Sequence, residues 1–204
     1  MANIDWDKLG FDAYRTKTLV LARWTKGKWS EITESDEFHK VAANYASTFR
    51  PYQIAHEQGH MELLYLNAST HEYIDEFGSS NFFGIKNNTY VTPLSDSVLP
   101  SITNKCLQEI AADLGLKVEK RPVRLEELEE FEEVGGCGTA VVINPMSHIE
   151  VKEVLEEEPV KKVYRFCPDG EVGPVSTKLY KTITGIQKGE IEDIHGWCHE
   201  IKDF

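Results

Sequence analysis

The chain has 204 residues, 41% hydrophobic and 27% charged, the range of an ordinary globular protein with one substantial core and not of a disordered or fibrous chain. Its formal charge of −12 at pH 7 would repel a phosphate backbone, which argues against nucleic acid as a partner. No apolar run is long enough to cross a bilayer and MANIDWDKLG lacks the pattern of a signal peptide, so no membrane association and a cytoplasmic location are expected.

In chain order, TLVLARWTKGKWSEI alternates about Lys26-Gly27-Lys28 and predicts a β-ribbon within residues 1–35. From Ser35 to Gly59 the spacing of Phe38, Val41, Ala42, Tyr45 and Ala46 is helical, and Pro51 is placed to start a second helix. MELLYLNAS, HEYIDEFG, NFFGIKNN and NTYVTP are strand-sized pieces punctuated by Gly, Asn and Pro, and predict a sheet. SITNKCLQEIAADLGL predicts a helix opened by a Ser101 cap and closed at Gly115, with Ile102, Cys106, Ile110 and Leu114 along one side. A strand in LKVEKRPV, an acidic helix in RLEELEEF, and glycines leading into an apolar strand in GGCGTAVVINP follow. A glycine-rich turn at CPDGEVGP and an amphipathic helix from about Ser176 to Ile186 complete an α+β (α/β) chain.

The acidic runs Glu126, Glu127, Glu129, Glu130, Glu132 and Glu133, and Glu156 to Glu158, read as solvated surface. Cys106, Cys137, Cys167 and Cys198 stand far apart with no paired spacing, and reduced thiols are the expectation.

Two places could receive an anion. Ser101-Ile102-Thr103 opens a helix directly after a strand and Leu99-Pro100, and a helix N-terminus offers free N–H groups and the positive end of the dipole. Gly135-Gly136-Cys137-Gly138-Thr139 could let backbone approach a ligand, with a hydroxyl added by Thr139. Taken singly, each reads more readily as an ordinary capped helix or a tight turn, and neither signal is specific by itself. His56-Glu57-Gln58-Gly59-His60 matches the HExxH zinc pattern, but Gly59 and the strand-like MELLYLN should end the helix before the second histidine is aligned, and no metal is expected.

Lys40-Val41-Ala42-Ala43-Asn44-Tyr45-Ala46-Ser47 resembles the lysine motif of the branched-chain aminotransferases, the fold type IV pyridoxal-phosphate family. In the family's order, THEYIDEFGSSNFFGI, TPLSDSVLPSIT, GGCGTAVVINP and EVGPVSTKLYKTITGIQKGEIEDIHGW are similar to its later segments, and MANIDWDKLGF to its first residues. The resemblance implies the C-terminal cofactor domain of that fold over residues 36–204 and a short N-terminal β-ribbon remnant over 1–35. Ahead of Lys40 a long stretch of the family's N-terminal domain is absent, with its phosphate-binding arginine; Arg15 lies in no matching context. Ala42-Ala43 replaces the family's small glycine pair.

The resemblance further implies pyridoxal 5'-phosphate as cofactor, Lys40 as its Schiff-base lysine and general acid/base, and Tyr45 on the phenolic oxygen. Glu76 would hold the pyridine nitrogen, Leu99 would pack on the ring, and Ile102, Thr103 and Thr139 would bind phosphate. Thr139 and Ala140 would face the substrate carboxylate. The implied reaction moves an amino group between leucine, isoleucine or valine and 2-oxoglutarate, and apolar surface left uncovered by the missing stretch predicts a homodimer. The alternative is a catalytically inactive remnant acting as a binding or oligomerising module.

Overall fold

The computed structural model describes residues 22–25, 28–31, 48–152, 161–167 and 171–199, and its chain forms two compact units, 1–63 with 67–71, and 64–66 with 72–204.

In the first unit, strands β1 (Ala22–Thr25) and β2 (Lys28–Glu31) pair antiparallel from Ala22↔Glu31 to Thr25↔Lys28, in agreement with the predicted ribbon. The turn residues Lys26 and Gly27 lie outside the described residues, as does most of the helix predicted from Ser35. Helix α1 (Phe49–Glu57) begins two residues before Pro51, which sits in the first turn where its missing N–H costs no hydrogen bond. Gly59 turns the chain at φ +85° and the His60 N–H closes back on the Ala55 carbonyl at 2.9 Å. The helix therefore ends ahead of His60, and the HExxH string lacks the helical spacing that a zinc pair requires.

The second unit is built on a mixed sheet. Strands β4 (Tyr73–Phe77), β5 (Asn81–Lys86) and β6 (Thr89–Pro93) run antiparallel in sequence. Asn87 and Asn88, both at positive φ, make the tight turn between β5 and β6. β6 pairs in parallel with β7 (Lys117–Arg121), a connection that needs a crossover, supplied here by α2 (Ile102–Asp113). β3 (Leu64–Leu66) and β8 (Val123–Arg124) pair with β4, while β9 (Glu133–Gly138) pairs with β5 and carries β10 (Val142–Met146) beyond it. β11 (His148–Lys152) and β12 (Lys161–Arg165) form a separate antiparallel pair.

Both faces of the sheet are covered, so β5 and β6 are buried almost without interruption. Phe83, Ile85 and Tyr90 pack with Leu107, Ile110 and Ala111 of α2 and with Leu179, Ile183 and Ile186 of α3 (Pro174–Gln187). Phe82, Val91 and Val134, the alternate residues, pack with Ile74, Leu128, Phe131, Tyr164 and Phe166 on the other side.

Four expectations need correction. The stripe Ile102, Cys106, Ile110, Leu114 is not the buried face of α2: Ile102 is 74% exposed, and the helix buries Asn104, Leu107, Ile110 and Ala111. The reason is polar docking, since Asn104 accepts from the Tyr90 hydroxyl at 2.9 Å and donates to Thr92 Oγ1 at 2.9 Å, fixing the rotation of the helix. RLEELEEF folds only into a 3-10 helix, Leu125–Glu129, anchored by buried Leu128.

The acidic run is not uniformly solvated either. Glu127 accepts from Arg121 Nη1 and Nη2 at 2.9 and 2.8 Å, from Lys86 at 2.9 Å and from the Arg124 N–H at 3.0 Å. Burial alone would raise its carboxyl, but these partners, Arg121 foremost, bring it down to about 2. Glu133 is 4% exposed and its carboxylate accepts the N–H groups of Val175 and Ser176 at 2.9 and 2.7 Å, so a strand residue caps α3. Glu156 to Glu158 lie outside the described residues.

Finally, Gly135, Gly136 and Gly138 do not precede a strand but belong to β9. A Cβ at Gly135 would stand 2.7 Å from the Phe83 ring, and one at Gly136 would strike the Ser80 hydroxyl, so these two glycines make room for neighbouring side chains.

Candidate functional site

The candidate residues of the second unit converge through the register of the sheet. Glu76 on β4 pairs with Asn81 on β5, and Asn81 pairs in turn with Cys137 on β9. The Asn81 amide donates from Nδ2 to Glu76 Oε2 at 3.1 Å and to the Leu99 carbonyl at 3.0 Å. One side chain thus ties the Glu76 carboxylate to the segment that leads into α2.

Three residues beyond Leu99, α2 starts. Ser101 is its cap, accepting the Asn104 N–H through Oγ at 3.1 Å as predicted, and Gly115 closes it at φ +82°. The N–H groups of Ile102 and Thr103 have no protein acceptor among the described residues, so this helix end presents donors to an anion. Thr103 is partly buried; the Ile102 side chain points to solvent, which leaves its backbone N–H as its contribution.

Thr139 and Ala140 are exposed in the tight turn that joins β9 to β10, where Gly138 pairs with Val142. Gly136 and Gly138 lie against Ser79 and Ser80, the turn between Glu76 and Asn81. Glu76, Leu99 and the Thr139 turn are therefore neighbours at one end of the sheet. Lys40 and Tyr45 lie outside the described residues.

Neither Asn81 nor Asn104 is singled out from the sequence, and Glu133 reads there as solvated surface. A signal for the first was available: asparagine is poorly suited to a strand interior, and Asn81 opens an otherwise apolar strand at 6% exposure. The other two depend on contacts with distant segments and left no local trace.

Beside Glu76, Asp75 is 6% exposed and its Oδ1 has no hydrogen-bond partner among the described residues. Burial raises its carboxyl above the ordinary value, partly offset by the Ser95 hydroxyl. Folding therefore disfavours the ionised form, and stability falls as pH rises from the ordinary carboxyl value through the raised one. Asp75→Asn is expected to stabilise the protein at pH 7, an advantage that disappears below about pH 4. Denaturant melts at the two pH values check this, and an equal gain at both would refute it.

Burial pushes the Cys137 thiol up to about 12, and Cys106, Cys137, Cys167 and Cys198 are all unpaired thiols. Among the described residues no group of histidine, cysteine and carboxylate side chains is arranged to hold a metal, and no helix is long and apolar enough to cross a membrane.

The chain belongs to the amino-transferase class IV family, whose profile matches residues 13–149. Its sequence is 41% identical over 170 residues to the branched-chain-amino-acid aminotransferase of Haemophilus influenzae, covering 80% of this chain and 47% of that protein.

The Escherichia coli branched-chain amino acid aminotransferase shares 28% identity with a TM-score of 0.64 over 76% of this chain and 46% of that one. A branched-chain aminotransferase from the thermophilic archaeon Thermoproteus uzoniensis, solved with norvaline, shares 26% identity with a TM-score of 0.60 over 75% of this chain and 46% of that one. The fold is therefore the expected one, and the chain spans about half the length of the curated relatives it matches.

Proposed function

We propose that this chain is the cofactor-holding part of a branched-chain-amino-acid aminotransferase, moving an amino group between leucine, isoleucine or valine and 2-oxoglutarate, and that it works as a homodimer in the cytoplasm. In this reading residues 36–204 are the cofactor domain and 1–35 a β-ribbon remnant. The observation that carries it is the hydrogen-bonded path from Glu76 through Asn81 to Leu99 and on to the α2 N-terminus. A carboxylate at one end and free N–H donors at the other suit a group with a basic ring nitrogen and a phosphate.

When bound, pyridoxal 5'-phosphate supplies an electron sink for the bonds at the substrate α-carbon. Glu76 would keep a proton on the ring nitrogen, Leu99 would pack against the ring, and the N–H groups of Ile102 and Thr103 with Thr139 would hold the phosphate. Thr139 and Ala140 would meet the substrate carboxylate. Lys40 would hold the cofactor and carry the α-proton, with Tyr45 on the phenolic oxygen.

Titrating the purified chain with pyridoxal 5'-phosphate is expected to give a saturable visible absorbance that changes when leucine is added, and Lys40→Ala is expected to abolish amino transfer to 2-oxoglutarate. Transfer surviving in Lys40→Ala would refute the lysine's role. A second reading, a catalytically inactive binding or oligomerising module, draws on the half-length match to the curated relatives. Cofactor binding with no response to any branched-chain amino acid would favour it.

A further inference from the structure

We infer that Asn81 is a positioning residue that sets the separation between the two ends of the cofactor cradle, an inference that rests on the reading of Glu76 and α2 given above. Both hydrogens of its amide nitrogen are committed, one to Glu76 Oε2 at 3.1 Å and the other to the Leu99 carbonyl at 3.0 Å. At 6% exposure, water has little access to replace either bond.

The two acceptors belong to different requirements of the same ligand. A pyridine ring with a short phosphate arm is nearly rigid, so the carboxylate that meets its nitrogen and the helix end that meets its phosphate must stand at one fixed spacing. Glu76 is on β4, whereas Leu99 leads through Pro100 to the Ser101 cap, and these segments are distant in sequence. Asn81 joins them through a single planar group, and Asn104 holds the first turn of α2 to Tyr90 and Thr92 from behind.

The amide has a second consequence. A donor on Glu76 Oε2 favours the ionised carboxylate and fixes its plane, which bears on how strongly the carboxylate retains a proton on the ring nitrogen. Aspartate at position 81 would offer no donor and would set charge against charge. A purely structural clamp between β5 and the 94–101 segment would change melting temperature but not the titration of bound cofactor, and this separates the two roles.

The test uses the full chain with pyridoxal 5'-phosphate as probe. It compares wild type, Asn81→Ala, the milder Asn81→Ser, Glu76→Ala, and the double variant that combines Asn81→Ala with Glu76→Ala. Asn81→Ala is expected to weaken cofactor binding about tenfold or more and to shift the pH midpoint of the bound cofactor's absorbance, with Asn81→Ser intermediate. In the Glu76→Ala background the same substitution is expected to cause no further pH shift.

Should Asn81→Ala be too unstable to purify, Asn81→Ser carries the comparison. Wild-type affinity and an unchanged midpoint in the variants would overturn the inference and leave the reading of Glu76 and α2 standing. Failure of the wild-type chain itself to bind pyridoxal 5'-phosphate would remove that reading and the inference with it.

Discussion

Gly173→Ala is expected to cost about 3–5 kcal/mol, enough to leave little folded protein at 37 °C. Gly173 is the residue before α3, and a Cβ built there falls within the Glu133 carboxyl group. That carboxylate cannot retreat, because it is buried at 4% exposure and accepts the Val175 and Ser176 N–H groups at 2.9 and 2.7 Å. Displacing it would leave a buried charge, the buried Ser176 N–H and the half-buried Val175 N–H without partners, while α3 would lose the register that seats Leu179, Ile183 and Ile186 in the core. Glu133→Ala removes the charge and is expected to cost less, about 2–3 kcal/mol. Thermal and denaturant melts of the two variants provide the comparison, and a Gly173→Ala protein as stable as wild type would refute this account of the cap.

Under the proposed function, Glu76→Ala is expected to lower amino-transfer turnover by roughly two to three orders of magnitude, the scale associated with removal of a preorganised electrostatic group, while costing about 1–3 kcal/mol of stability. The carboxylate accepts from Asn81, whose amide is buried at 6% exposure, so its loss leaves that donor short of a partner. Steady-state turnover with leucine and 2-oxoglutarate, alongside a melt of the same preparation, measures both quantities. A variant with wild-type turnover would remove Glu76 from the cofactor site.

Most of the fold's elements were legible because they rest on local causes. Strands β4, β5 and β6 follow from short apolar runs between Gly, Asn and Pro, and α2 from the Ser101 cap and the Gly115 terminator. The hairpin of β1 and β2 follows from alternation about a Lys-Gly centre. RLEELEEF shows the limit of such reasoning: charges at helical spacing favour a helix, but Leu128 and the cluster of Glu127 with Arg121 and Lys86 hold the segment in a short 3-10 turn. Intrinsic propensity is a weak prior beside tertiary anchoring.

The candidate site was legible in a different way. Glu76, Leu99, Ile102, Thr103, Thr139 and Ala140 came from resemblance to a family, since no single Glu or Thr declares its role by composition. The amides of α2 were the exception, because a helix start has free donors wherever it occurs. Asn81, Asn104 and Glu133 were missed because each acts on a partner from another strand or helix.

By itself, then, the sequence determined most of the kinds of element, their order and the family, all of which depend on neighbouring residues or on ordered motifs. Tertiary structure alone decided which way α2 faces, why glycines line β9, which glutamates of one acidic run are buried, and that one asparagine amide spans Glu76 and Leu99. Those outcomes come from strand register and helix docking, which place residues distant in the chain within hydrogen-bonding reach and which no local pattern encodes.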